Sequence, residues 1–119
     1  MRRYVHAHES GDIDTVVAML ADDVRIAMPA EPTCLGVQAA AGFFRAILGP
    51  DRPGDWLLHT THANGQPATA NYLRRPGDIE YKALSIDVLD IRGGQIVAIR
   101  CFLGDRAFST FHLPVSRHR

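Results

Sequence analysis

The sequence predicts an α+β domain, with helices on one side of a curved antiparallel sheet. Three observations carry this reading. Segments with a helical apolar period come first in the chain and strand-like segments come last, an order that means α+β in a compact domain. The stretch DIEYKALSIDVLDI–RGG–QIVAIRCFLG, Asp78 to Gly104, reads as two long strands folded back through Arg92-Gly93-Gly94. Glycine, proline and asparagine fall between these segments and hardly ever inside them, so each element has a stop signal.

In chain order, residues 2–9 form a short helix with Tyr4, Val5 and His8 on one face. The segment begins already inside its pattern, which implies a longer parent chain. Ser10-Gly11 breaks it, and Asp12 caps a second helix whose stripe is Ile13, Val16, Val17 and Leu20. Asp22-Asp23 ends that helix, and Val24 to Met28 is a strand stopped by Pro29. A third helix runs from Val37 to Leu48, burying Val37, Ala40, Ala41, Phe44 and Leu48, with Gly49-Pro50 as its stop. Trp56 to Ala63 and Ala68 to Leu73 are strands joined by an Asn64-Gly65 turn. The long hairpin follows, Ile79 to Ile91 and Ile96 to Leu103, rich in the Ile, Val and Leu that suit a packed pleated surface. Asp105 then caps a last helical turn carrying Phe108 and Phe111.

The chain has 119 residues and 46% hydrophobic content, enough for one domain with a core that needs no staples. Thirteen basic and thirteen acidic side chains cancel, which argues against a nucleic-acid or membrane-surface partner. Cys34 and Cys101 form no close-spaced motif, and nothing points to a stapled secreted scaffold. No apolar run approaches the ~20 residues that span a bilayer, and no signal-peptide core is present. A soluble cytoplasmic domain without cofactor is expected. A metal site is not, because His59 and His62 fall on opposite faces of a strand and His6 and His8 do not face each other on a helix.

The most informative residue is Asp87, a carboxylate between Ile86 and Val88 on an apolar strand. Either it points into a cavity between sheet and helices, where desolvation raises its pKa and makes it a hydrogen-bond donor, or it faces solvent on a half-wet strand. Strict alternation puts it on a face with Tyr81, Ala83, Ser85, Leu89 and Ile91, which is mixed and does not decide. Tyr4 is either a core aromatic or a second donor meeting Asp87, and two such donors at one point would make an oxyanion site. Cys101 reads as a buried thiol with no assignable base, and Glu31 as a loop acid near the end of the first strand.

With these residues laid out, the whole chain resembles the SnoaL-like branch of the nuclear-transport-factor-2-like fold. The resemblance implies a cone-shaped, strongly bent sheet packed against three helices, with a pocket at the cone mouth. RRYVHAHESGDIDTVVAMLADDVRIAMP, ANGQPA and IDVLDIRGGQI are similar to bacterial ketosteroid isomerases. On that similarity Tyr4 and Asp87 fall at the oxyanion-hole tyrosine and at the aspartic acid that stays protonated beside it, a well-known case of a neutral carboxylic acid donating a hydrogen bond. Met28 stands where the family's general-base aspartate falls, so an isomerase or cyclase would need a displaced base such as Glu31 or His62. VRIAMP, FFRAILG, ANGQPATANY, the VLDIRGGQI–IRCF hairpin and FSTFHLP, spread over essentially all of the chain, resemble the C-terminal SnoaL-like domain of some extracytoplasmic-function sigma factors. That resemblance implies a regulatory module binding a small apolar or aromatic carbonyl or phenol, with Met28, Phe44, His62, Ser85 and Cys101 lining its pocket beside Tyr4, Asp87 and Glu31. It also implies a homodimer, or packing on the sigma-factor domains, with no direct contact to DNA.

Overall fold

The computed structural model of the chain describes Met1–His118. Two short helices, α1 (Arg2–Ser10) and α2 (Ile13–Ala18), lead into strand β1 (Leu20–Ala27), the two-residue β2 (Cys34–Leu35) and helix α3 (Val37–Leu48). The strands β3 (Asp55–Ala63), β4 (Gln66–Arg74), β5 (Tyr81–Arg92) and β6 (Gln95–Leu103) follow, then helix α4 (Asp105–Thr110) and the short β7 (Ser116–Arg117). The predicted α+β class and curved sheet are both observed, and the sheet does not close on itself. Its order is β2-β1-β6-β5-β4-β3, with β7 added against β5. It is mixed rather than wholly antiparallel, because β1 runs parallel to β6, with Ile26 opposite Ile99. The helix α3 and the β3–β4–β5 meander lie between these two strands in sequence, long enough to make the crossover a parallel pair requires.

Local chemistry accounts for most boundaries. Asp12 caps α2, its carboxylate accepting from Thr15 N at 3.2 Å and from Thr15 Oγ1 at 2.6 Å. The helix stops at Ala18, earlier than its apolar stripe suggests. Leu20 therefore belongs to β1, and Asp22 and Asp23 sit exposed within that strand, where its register against β6 is irregular. Both tight hairpins use residues that accept positive φ: Asn64 and Gly65 at 53° and 77°, Gly93 and Gly94 at 57° and 78°. Ile79 is 84% exposed and precedes β5 instead of opening it.

The sheet is covered on both faces. The inner face packs against α1, α2 and α3 through residues such as Val16, Ile26, Phe44, Leu58, Leu89 and Ile99. The outer face carries a second cluster, Tyr72, Tyr81, Ile86, Val88 and Phe108. Here α4 and the residues after it fold back over the sheet. Phe108 meets the Tyr72 ring edge-on at 5.2 Å, the Tyr72 hydroxyl donates to the Pro114 carbonyl at 2.8 Å, and Arg117 lies over the same ring. As a result Ser85 through Leu89 are all buried. A bulge at Leu84, where Asn71 pairs with Ser85 but Tyr72 with Ala83, switches side-chain parity along β5. Tyr81 and Ala83 thus fall on the outer face, and Ser85, Asp87 and Leu89 on the inner one. The single face that strict alternation predicts is split at that point.

Candidate functional site

The inner face of the sheet, α3 and His8 of α1 line a partly open cavity of about 220 Å³. Of the residues singled out in the sequence, Met28, Phe44, Ser85, Asp87 and Cys101 line it. Its lining is otherwise mainly apolar, and its polar groups gather at one corner where β4, β5 and β6 run side by side. Pairing puts Asn71 opposite Ser85 and Asp87 opposite Cys101, so all four meet on one face. Asn71 Nδ2 donates to Asp87 Oδ2 at 2.7 Å and to Ser85 Oγ at 3.0 Å. Asp87 is 8% exposed, and burial raises its carboxyl above the ordinary 3.8, with hydrogen bonds from Cys101, Asn71 and Ser85 pulling the other way. Burial also pushes the Cys101 thiol far up, helped by the neighbouring Asp87 carboxyl, so no thiolate is available as a nucleophile.

Tyr4 is 1% exposed beneath this corner. Burial raises its phenol well above 10, with further contributions from Asp87 and Cys101, which places the hydroxyl in the electrostatic reach of both. Glu31 and His62 are exposed and do not line the cavity, so neither stands where a displaced base would act. No group of three or more His, Cys, Asp or Glu side chains among the described residues is arranged to hold a metal, and both cysteines are free.

Eight of the lining residues, Asn71 and His8 among them, are not singled out for the site by the sequence. Asn71 had a legible signal: a polar side chain inside the apolar run ATANYL, on the strand next to Asp87. His8 lay on the predicted inner face of α1 but was weighed only as a metal ligand. It is 2% exposed and surrounded edge-on by the rings of Trp56, Tyr4 and Phe44 at 5.2, 5.9 and 6.3 Å. Burial lowers its pKa from 6.5 to about 4, so the imidazole is neutral at pH 7. Together with Trp56, whose Nε1 donates to the Ile47 carbonyl at 2.9 Å, it stands between this cavity and an open cleft of about 340 Å³.

The hydrogen-bond accounting around the cavity does not close. His8 Nδ1, Asn71 Oδ1 and Asp87 Oδ1, all of lining residues, are buried and have no protein partner, and neither has the buried Tyr4 Oη, although Tyr4 itself is not part of the lining. A buried polar atom left unpaired costs about 1–3 kcal/mol, and native proteins pair at least nine in ten of them. Several such atoms around one cavity mark a place where partners come from outside the chain.

A family model described as a SnoaL-like domain matches residues 1–99. The chain belongs to the SnoaL-like domain family. A curated relative, the ECF RNA polymerase sigma factor SigG of Mycobacterium tuberculosis, is 32% identical over 117 residues. That alignment covers 98% of this chain but only 31% of SigG, so the SnoaL-like domain corresponds to about a third of that protein. Among solved structures, an NTF-2-like protein of unknown function from Burkholderia xenovorans superposes with a TM-score of 0.69 at 16% identity, over 87% of this chain and 79% of that one. A ketosteroid isomerase candidate from Kribbella flavida gives 0.67 at 23% identity over 87% and 74%. Bal32a, from a soil-derived mobile gene cassette, gives 0.67 at 19% identity over 87% and 86%. At these identities the three structures speak for the fold of the SnoaL-like domain and nothing finer.

Proposed function

We propose that this SnoaL-like domain binds a small aromatic carbonyl or phenol, as a ligand-sensing module of the kind joined to sigma factors. The observation that carries the proposal is the set of unpaired buried polar atoms around an otherwise apolar cavity. Burial raises the Asp87 carboxyl, and a carboxylic acid there would donate, with the nearby Tyr4 hydroxyl, to an acceptor oxygen on the ligand. Size narrows the class. An apolar cavity of about 150 Å³ takes benzene, so 220 Å³ suits one substituted ring. On the resemblance to bacterial ketosteroid isomerases, Met28 falls where that family's general-base aspartate stands, which favours binding over the isomerase or cyclase alternative.

The likeness to SigG supports a regulatory setting in the cytoplasm, with the ligand altering how this domain packs on sigma-factor domains or on a second copy. The part of the outer sheet face not covered by α4–β7 suits such packing, since Phe102, opposite Ile86, is 42% exposed there. The zero formal net charge favours a protein contact over direct binding to DNA.

The test uses Trp56, the chain's one tryptophan and a lining residue, as a fluorescent reporter. Titration with 4-nitrophenol should quench it saturably. Asp87→Asn and Tyr4→Phe should each weaken binding by about tenfold, the worth of one buried hydrogen bond. Equal affinity in both variants and the parent would sink the proposal. Conversion of 3-cyclohexenone to its conjugated isomer would support the enzyme reading instead.

A further inference from the structure

We propose that His8 is a ligand-recognising residue of this cavity, pairing through Nδ1 with a hydroxyl on the ligand's ring, so that the site selects a hydroxylated aromatic ketone over the same ketone without the hydroxyl. The inference rests on the binding function proposed above and adds a second polar contact to it.

Tyr4 and His8 are four residues apart on α1, so both project from the inner face one turn apart. Tyr4 reaches the electrostatic neighbourhood of Asp87, while His8 lines the cavity beside Trp56 and Phe44. The three rings around His8 meet it edge-on and offer Nδ1 no partner. The Trp56 N–H is already committed to the Ile47 carbonyl. Packing alone would be served equally well by a leucine or phenylalanine, which would bury no unpaired nitrogen. The polar atom is therefore the informative part of the side chain.

Ligand chemistry follows from the donor and acceptor inventory. A neutral imidazole has one donor nitrogen and one acceptor nitrogen. A hydroxyl both donates and accepts, so it satisfies Nδ1 in either tautomer, which neither a carbonyl nor an ammonium does. Under the function proposed above the Asp87 corner takes an acceptor oxygen, so the complementary ligand carries two unlike groups on one ring: a carbonyl for Asp87 and Tyr4, and a hydroxyl for His8. A hydroxyacetophenone has both and is a single substituted ring, in keeping with a 220 Å³ cavity.

The experiment measures affinity for acetophenone and its 2-, 3- and 4-hydroxy isomers by Trp56 fluorescence, in the parent protein and in His8→Phe. The parent should bind at least one isomer about fivefold or more tighter than acetophenone, the effect of one added hydrogen bond. In His8→Phe that ratio should fall to about one. A ratio unchanged in the variant, or no isomer preferred by the parent, overturns the assignment of His8 while leaving the binding function intact. A parent that binds none of the four overturns the binding function and this inference with it. Because His8→Phe changes a buried position, the ¹⁵N resonances of the His8 ring are followed in the parent as well. Saturation with the preferred isomer should shift Nδ1, and an unmoved resonance overturns the proposal.

Discussion

Replacing Tyr4 by phenylalanine should make the unliganded protein more stable and the liganded protein relatively less so. Tyr4 is 1% exposed, its hydroxyl has no protein partner, and its phenol is held fully protonated by burial. Removing an unpaired buried hydroxyl relieves about 1–3 kcal/mol of desolvation. The void left behind is one oxygen, roughly 12 Å³, and at about 24 cal/mol per Å³ it takes back only about 0.3 kcal/mol. The expected net gain is about 0.7–2.7 kcal/mol. With an unfolding entropy near 2.1 cal/mol/K per residue over 119 residues, 1 kcal/mol corresponds to about 4 °C, so Tm should rise by about 3–11 °C. Thermal melts of the free proteins measure this directly. Ligand should then work in the opposite sense. A phenol at 100 times the parent's Kd stabilises the parent by about 2.7 kcal/mol, and a tenfold weaker variant by about 1.4 kcal/mol, so the gap should narrow by about 1.3 kcal/mol. A Tyr4→Phe protein that melts at or below the parent's Tm without ligand would show that the hydroxyl is paired, and the reasoning from unpaired atoms would fall.

Two further outcomes follow from other parts of the structure. His8 titrates at about 4 when folded and at 6.5 as a free side chain, so between those values the unfolded state binds more protons. Its contribution to stability is whole above pH 6.5 and is lost as pH falls to about 4, an order-of-magnitude loss of about 3 kcal/mol. Urea midpoints from pH 7 to pH 4 should fall more steeply for the parent than for His8→Phe; parallel curves would contradict the buried neutral imidazole. Gly54→Ala should lower Tm by about 4–12 °C, because a Cβ there would sit 2.3 Å from the Arg74 carbonyl oxygen, and forced overpacking costs about 1–3 kcal/mol. An unchanged melting curve would mean that β3 and β4 separate without penalty at that end.

How much of this was legible in the sequence depends on whether a local signal or a tertiary one decided each point. The helix Val37–Leu48 and both hairpins were legible because caps, glycines and apolar period agree at each boundary. The parallel placement of β1 beside β6 was not, since no short stretch of chain encodes which strand lies next to a sheet's open edge. The direction of Asp87 was undecidable from alternation for a specific reason. Alternation assumes one wet face, and here α4 and the residues up to β7 cover the outer face while the helices cover the inner one, so Ile86, Asp87 and Val88 are all buried. The bulge at Leu84 then reverses parity a few residues earlier, which separates Tyr81 and Ala83 from the face they were grouped with. The same covering gives the polar corner its chemistry. A carboxyl on a half-wet strand would keep an ordinary pKa and bind water, whereas on a strand buried from both sides it is desolvated, its pKa is raised, and one oxygen is left unpaired. The C-terminal segment therefore contributes to the candidate site without touching it: by drying the outer face of β5 it helps make Asp87 a group that a ligand, rather than solvent, must satisfy.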